Sequence, residues 1–200
     1  MNNRVNKITP LAETKFLSLY DAEYENKKGA QKHWVIASRK DYKTLTKQFF
    51  EGKKENIDAV IIAALHEETK SLVLIKQFRI PLNDYVYELP AGLVDNNESI
   101  EEAVKRELME ETGLELTSIN YEKTNKQVYV SAGMTDESVA MVFCRCKGTL
   151  SNKYLEEDED IEASLLSQEE AKQFLENNFK MDIKVHMMLQ SFINLGEAAF

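Results

Sequence analysis

Cysteine, proline and glycine are all scarce: two Cys, three Pro and seven Gly among 200 residues. Two thiols supply too few ligands for a structural zinc site, and His33, His66 and His186 show no metal-ligand spacing near them. Cys144 and Cys146 flank Arg145 in an apolar run of strand type, so both are expected on one face as reduced, apolar-like groups. So few Gly and Pro exclude collagen-like and Pro-rich low-complexity chains. Positive charge is short as well. Lys and Arg number 25 against 34 Asp and Glu, a net charge of −9, which argues against holding nucleic acid through overall charge. No apolar run approaches the ~20 residues of a membrane helix, and the N-terminal stretch has no signal-peptide-like hydrophobic segment. What is present is an ordinary globular balance, 43% hydrophobic and 30% charged. The expectation is a soluble, cytoplasmic chain with neither nucleic-acid nor membrane partners.

Tyr20 to Glu25 alternates, with Tyr20, Ala22 and Tyr24 on one face and Asp21, Glu23 and Glu25 on the other, the period of a half-buried strand. Asn26-Lys27-Lys28-Gly29 supplies turn chemistry, and His33 to Ser38 reads as the returning strand. A small antiparallel unit over residues 1–54 is therefore expected, with its boundary in the polar stretch Glu51 to Asn56 and a second domain over 55–200. There, Ile57 to Leu65 and Ser71 to Phe78 are continuous apolar runs joined by the polar turn His66 to Lys70. Such runs suit strands buried on both faces, in a sheet sandwiched by helices. Tyr85 to Glu88, Gln127 to Val130 and Ser138 to Cys146 are further strand candidates.

Three helices are readable. Ser99 with Glu102, and Ser167 with Glu170, form capping boxes, and Gly113 stands where the first of these helices should stop. Val185, Met188, Leu189 and Phe192 make an apolar stripe at helical spacing, read as core. The acidic run Glu156 to Asp160 lacks the Gly and spaced oxygens of an EF-hand loop and reads as a solvated connection into a strand.

The helix after Ser99 carries the informative irregularity. One helical face runs Ile100, Ala103, Val104, Glu107, Leu108, Glu111, so two carboxylates occupy places where apolar residues belong, with Glu110 at the edge. The C-terminal end of a helix already carries about −0.5 charge, and burial adds several kcal/mol of desolvation per ion. Pairing with Lys105 and Arg106 is the plain alternative. An adjacent residue, however, points about 100° away on a helix, so Arg106 is not expected to cover Glu107. A divalent cation held by hard carboxylate oxygens, best Mg²⁺ with retained waters, answers the charge.

With its flanks this helix gives Gly92, five residues, Glu98, seven residues, then Arg106-Glu107-Leu108-Met109-Glu110-Glu111-Thr112-Gly113-Leu114. The stretch resembles the Nudix box at every defined position. The resemblance implies an α/β (α+β) Nudix fold, a mixed β-sheet sandwiched between helices. It also implies Mg²⁺- or Mn²⁺-dependent hydrolysis of a nucleoside diphosphate linked to another moiety. Glu107 and Glu111 match the family's metal ligands, with Glu110 a further one, while Arg106 joins the catalytic set and pairs with Glu98 as a brace. Gln77-Phe78-Arg79 and Glu88-Leu89-Pro90-Ala91-Gly92 resemble the ADP-ribose pyrophosphatases, in which the residue before the box glycine, here Ala91, offers its carbonyl to metal.

That subfamily also carries a small N-terminal strand unit that helps form a homodimer and its nucleotide site. Thr135-Asp136-Glu137-Ser138 matches the loop whose Glu serves as catalytic base, here Glu137, with Asp136 a poorer candidate. Ser131-Ala132-Gly133 departs from the usual Ser-Pro-Gly turn. For substrate, Arg79 suits a phosphate or the terminal ribose. Glu88 either accepts a bond from the ligand or braces the Pro90 turn. Trp34, aided by Tyr20 or Tyr24, either stacks on adenine or is a half-buried strand or dimer residue. The expected reaction is ADP-ribose to AMP and ribose 5-phosphate. Alternatives are another nucleotide sugar such as GDP-mannose, or a Nudix-fold sensor without hydrolysis, against which the intact Glu107, Glu110 and Glu111 argue.

Overall fold

The computed structural model describes residues 4–53, 56–157 and 159–200, which divide into two compact units. The first comprises Met1–Asp58 and Gln127–Val139. Three strands, β1 (Val5–Glu13), β2 (Ser18–Glu25) and β3 (Gln31–Ser38), form an antiparallel sheet in that order, followed by helix α1 (Tyr42–Glu51). Tyr20 and Ala22 are buried while their neighbours on β2 are not, as the alternation requires. The β2–β3 turn closes where Asn26 Oδ1 accepts from Lys28 N–H and Ala30 N–H, and Gly29 takes the positive φ of +79° that the turn needs.

Ile8, Tyr20 and Leu45 make the core of this unit. Two of its elements are absent from the sequence reading. Strand β1 contains Pro10 and buries one residue, Ile8, so no alternation marks it. Helix α1 buries only Leu45, and its start is set by Asp41, whose carboxylate accepts from Thr44 N–H at 2.7 Å. The segment 127–139, assigned above to the second domain, groups instead with the N-terminal sheet. Main-chain bonds explain this: Ala37 N–H donates to Met134 O at 2.9 Å, and Asp58 N–H to Ser138 O at 2.7 Å. Main-chain pairing of distant segments leaves no side-chain pattern to read.

The second unit comprises Ala59–Lys126 and Ala140–Phe200. Its mixed sheet runs β11 (Ile161–Leu166), β5 (Ser71–Arg79), β4 (Ala59–His66), β10 (Ser138–Lys147), β8 (Glu115–Ile119). Shorter strands attach at its edges: β6 (Asp84–Glu88) on β5, β7 (Ala91–Leu93) on β4 and β9 (Asn125–Tyr129) on β10. Every residue of β4 is buried, so both of its faces are covered, as its unbroken apolar run predicts. Helix α2 (Ile100–Thr112) packs on β4, β7, β8 and β11; α3 (Gln168–Glu176) packs on α4 (Ile183–Leu195) and β11. Val185, Met188, Leu189 and Phe192 are the buried stripe of α4, and Cys144 and Cys146 are both buried free thiols. Burial pushes the Cys146 thiol up to about 12 and Cys144 higher still, so neither ionises near neutrality.

Candidate active site

Helix α2 is fixed at both ends. Ser99 Oγ accepts from Glu102 N–H and the Glu102 carboxylate accepts from Ser99 N–H, the reciprocal capping box. Gly113 ends the helix with φ +74°, and a Cβ there would stand 2.7 Å from Ser151 Cβ. Between these stops the buried face is Ala103, Val104, Glu107, Leu108, Glu111 and Thr112, with Glu107 and Glu111 only 8% and 4% exposed.

Strand β7 lies directly against those two acids. Ala91 N–H donates to Glu111 Oε2 at 2.9 Å, and Gly92 leaves the space that the Glu107 carboxylate fills, since a Cβ would lie 1.8 Å from Glu107 Oε1. Burial drives the Glu111 carboxyl well above its usual value, and the charges of Glu107 and Glu159 add to the shift. Glu107 is also raised by burial, with Arg106 opposing. Glu111 lines a cavity of about 270 Å³ with Leu150, Ser151, Asn152, Ile161, Glu162 and Ala163. A groove of about 850 Å³ lies along α2 by Glu98, Glu102, Lys105, Arg106 and Met109.

Arg106 corrects the sequence reading. Its Nη1 donates to Glu107 Oε1 at 2.7 Å and to Glu110 Oε2 at 3.0 Å, while Nε and Nη2 hold Glu98 at 2.9 Å each and Nη2 also reaches Leu93 O. The angle between adjacent residues on a helix applies at Cβ; a guanidinium on a long, flexible stem swings back past it. Among the described acids of this helix face, negative charge without a paired cation is therefore narrower than expected, resting on Glu111. Among the described residues no three acidic, His or Cys side chains converge on one point. Three facts nevertheless suit a divalent cation: hard carboxylate oxygens, an almost fully buried Glu111 with no ion pair among the described residues, and a cavity beside it.

The Glu98–Arg106 pair also sets an acid limb. Arg106 holds the Glu98 carboxyl below its usual 4.5, so the pair's stabilisation is present above that value and lost as pH falls through the lowered one. Glu98→Gln is expected to melt below the parent at about pH 7, the gap closing as pH falls below the usual carboxylate range; thermal denaturation against pH checks it.

Other expected residues fall as follows. Arg79 and Glu88 satisfy each other, Nε to Oε1 at 2.5 Å and Nη2 to Oε2 at 2.8 Å, so Glu88 braces Arg79 rather than the Pro90 turn. The Glu111 charge helps raise Arg79, which places this pair near the acidic face. In the N-terminal unit, Trp34 is 53% exposed and its Nε1–H donates to Gly133 O at 3.2 Å. Tyr20 is fully buried with its hydroxyl bonded to Lys40 O, which removes it as a base-stacking residue; Tyr24 is half-buried. Glu137 pairs with Arg39 at 2.5 Å and Asp136 with Lys40 at 2.9 Å. Arg39 and Lys40 are absent from the sequence reading. Glu159 belongs to the acidic run read as a solvated connection; it is half-buried, and its carboxylate accepts from Glu156 N–H at 3.0 Å.

A sheet with a capped helix presenting buried glutamates to a glycine of β7 defines a class, and comparison with known proteins names it. The NUDIX domain family matches residues 55–185, and the chain belongs to that family. An ADP-ribose pyrophosphatase of Bacillus subtilis is 34% identical over 144 residues, covering 70% of this chain and 74% of that protein. An uncharacterized Nudix hydrolase of Schizosaccharomyces pombe is 31% identical over 132 residues, 65% of this chain but only 58% of the length of that protein. In fold the chain resembles a crystal structure of an ADP compounds hydrolase, with TM-score 0.60, 20% identity, and 87% and 85% of the two chains covered.

Proposed function

We propose that the protein hydrolyses the pyrophosphate bond of a nucleoside diphosphate sugar, with ADP-ribose giving AMP and ribose 5-phosphate, in a reaction that needs Mg²⁺ or Mn²⁺. The observation that carries this reading is the pair of buried carboxylates, Glu107 and Glu111, pressed against Ala91 and Gly92 of β7. Glu107, Glu111, the Ala91 carbonyl and Glu110 would hold the cation. It would draw charge from the phosphoryl oxygens and lessen their repulsion of an incoming nucleophile. Arg106 fixes the rotamers of Glu107 and Glu110 and ties them to Glu98. Water adds to one phosphorus, the bridging P–O bond breaks, and a carboxylate takes the proton.

Two carboxylates compete for that proton. Glu137 matches the loop of the resembling subfamily, but it is paired with Arg39. Glu159 is the alternative: no cation pairs with it among the described residues, its carboxylate accepts from Glu156 N–H at 3.0 Å, and its charge contributes to raising Glu107 and Glu111. Glu159→Gln is expected to lower kcat about 100-fold or more with metal affinity retained, and Glu137→Gln less. The reverse order returns the role to Glu137. Arg79 serves a phosphate by exchanging one arm of Glu88, and Trp34 stacks on the base. The N-terminal unit leaves Leu19 and Val35 exposed on one face of its sheet, suited to pairing with a second copy. No helix among the described residues is long and apolar enough to cross a membrane.

The test is a Mg²⁺-dependent panel of ADP-ribose, GDP-mannose, NADH and diadenosine polyphosphates, scored by kcat/KM. ADP-ribose is expected to lead. A lead for GDP-mannose moves the specificity, and no turnover of any member supports a sensor.

A further inference from the structure

Three consecutive residues, Asp136, Glu137 and Ser138, are each held by a charged side chain from elsewhere in the N-terminal unit. Lys40 Nζ lies 2.9 Å from Asp136 Oδ2, Arg39 Nε lies 2.5 Å from Glu137 Oε1, and Asp58 Oδ2 accepts from Ser138 N–H at 2.9 Å. Lys40 also reaches both oxygens of Asp58, at 3.4 and 3.5 Å, and so joins two of the three grips. All three side chains of this inner cluster are largely shielded from solvent: Lys40 is 10% exposed, Asp58 11% and Asp136 13%. The other oxygen of Asp136, Oδ1, is buried with no hydrogen-bond partner. Lys40 is therefore the group that retains Asp136 inside, and it is one cation serving two acids.

Upstream, the same loop is held by gentler contacts. Ala37 N–H donates to Met134 O, and Trp34 Nε1–H donates to Gly133 O. The last residues of β3 and the two that follow it thus line up along 133–138. A neutral side chain at position 40 would leave Asp58 and Asp136 facing each other with no compensating charge, and like charges in a poorly solvated site drive apart. The loop opens at Asp136, one residue from Glu137.

We propose that Lys40 is a positioning residue: through Asp136 and Asp58 it sets the conformation of the 131–138 loop, and with it the placement of Glu137 and the setting of Trp34. The functional half of this rests on the reading above that this loop serves the substrate site. Lys40 itself touches no reacting atom in that account. Its contribution is to hold in advance a geometry that binding would otherwise have to organise.

Trp34 is the only tryptophan of the chain and bonds the loop, so its emission reads the clamp without substrate or metal. The full chain carrying Lys40→Met is compared with the parent by circular dichroism, Trp34 emission and acrylamide quenching, and kinetics with ADP-ribose and Mg²⁺. The expected result is an unchanged fold, altered Trp34 emission and quenching, and kcat/KM lower by about 10- to 100-fold. If Lys40→Met fails to fold, Asp136→Asn takes its place, since it keeps Lys40 on Asp58 and removes the charge that calls for the clamp. It should move Trp34 in the same way. In a folded Lys40→Met/Asp136→Asn double variant the shift should be no larger than in the single ones. Trp34 emission identical to the parent in a folded variant overturns the clamp. Altered emission with unchanged kinetics leaves the clamp standing and removes the loop, and Glu137 with it, from the reaction.

Discussion

Glu111→Gln is expected to lower kcat at least about 100-fold, some 2.7 kcal/mol of barrier, while the chain stays folded. Glu111 is 4% exposed, and its carboxylate accepts one bond, from Ala91 N–H. Glutamine keeps an oxygen for that bond and removes a buried charge that burial and two neighbouring acids all disfavour. Melting temperature without metal should therefore hold or rise. The loss falls on turnover, because the hard anionic oxygen needed beside the cavity has gone. Steady-state kinetics with ADP-ribose and a thermal melt check both halves. More than about a tenth of the parent kcat would contradict the role.

Gly92→Ala is the second large effect, and it acts by displacement. The new Cβ would stand 1.8 Å from Glu107 Oε1 and 1.9 Å from its Cδ. The backbone at Gly92 has no positive φ, so alanine is tolerated there in itself; the obstruction is the Glu107 side chain. That side chain is flexible and gives way, so the sheet and α2 survive with a loss of about 1–3 kcal/mol. What does not survive is the position of the carboxylate, including its 2.7 Å bond to Arg106. Misplacing a donor by an ångström costs about 100-fold in rate. Adding Glu107→Ala to Gly92→Ala should restore the melting temperature and leave kcat low. A Gly92→Ala protein with parental turnover would mean that Glu107 works from another position.

Much of the second unit is legible in the chain because its signals are local. The unbroken run of β4, the two capping boxes and the stripe of α2 each depend on neighbours within a turn or a strand, and each stands where its residues place it. Glu107 and Glu111 announce themselves by breaking the apolar stripe, and the structure buries both. The failures are long-range or concern side-chain reach. Strand β1 has one buried residue and a proline, and α1 has one buried leucine, so neither shows a period. The 127–139 segment joins the N-terminal unit through main-chain bonds. Arg106 reaches Glu107 because a long side chain is not confined to its own helical azimuth. Glu159 is half-buried within a run of like residues, and nothing in the run distinguishes it.

The proposed hydrolysis requires the acidic face of α2 to hold a divalent cation through Glu111 and Glu107. Calorimetric titration of Mg²⁺, with Mn²⁺ in parallel, into the parent chain and into Glu111→Gln tests it without substrate or turnover. Saturable binding by the parent, weakened about ten-fold or more in the variant, is the expected result. Equal affinity in the two proteins would contradict it.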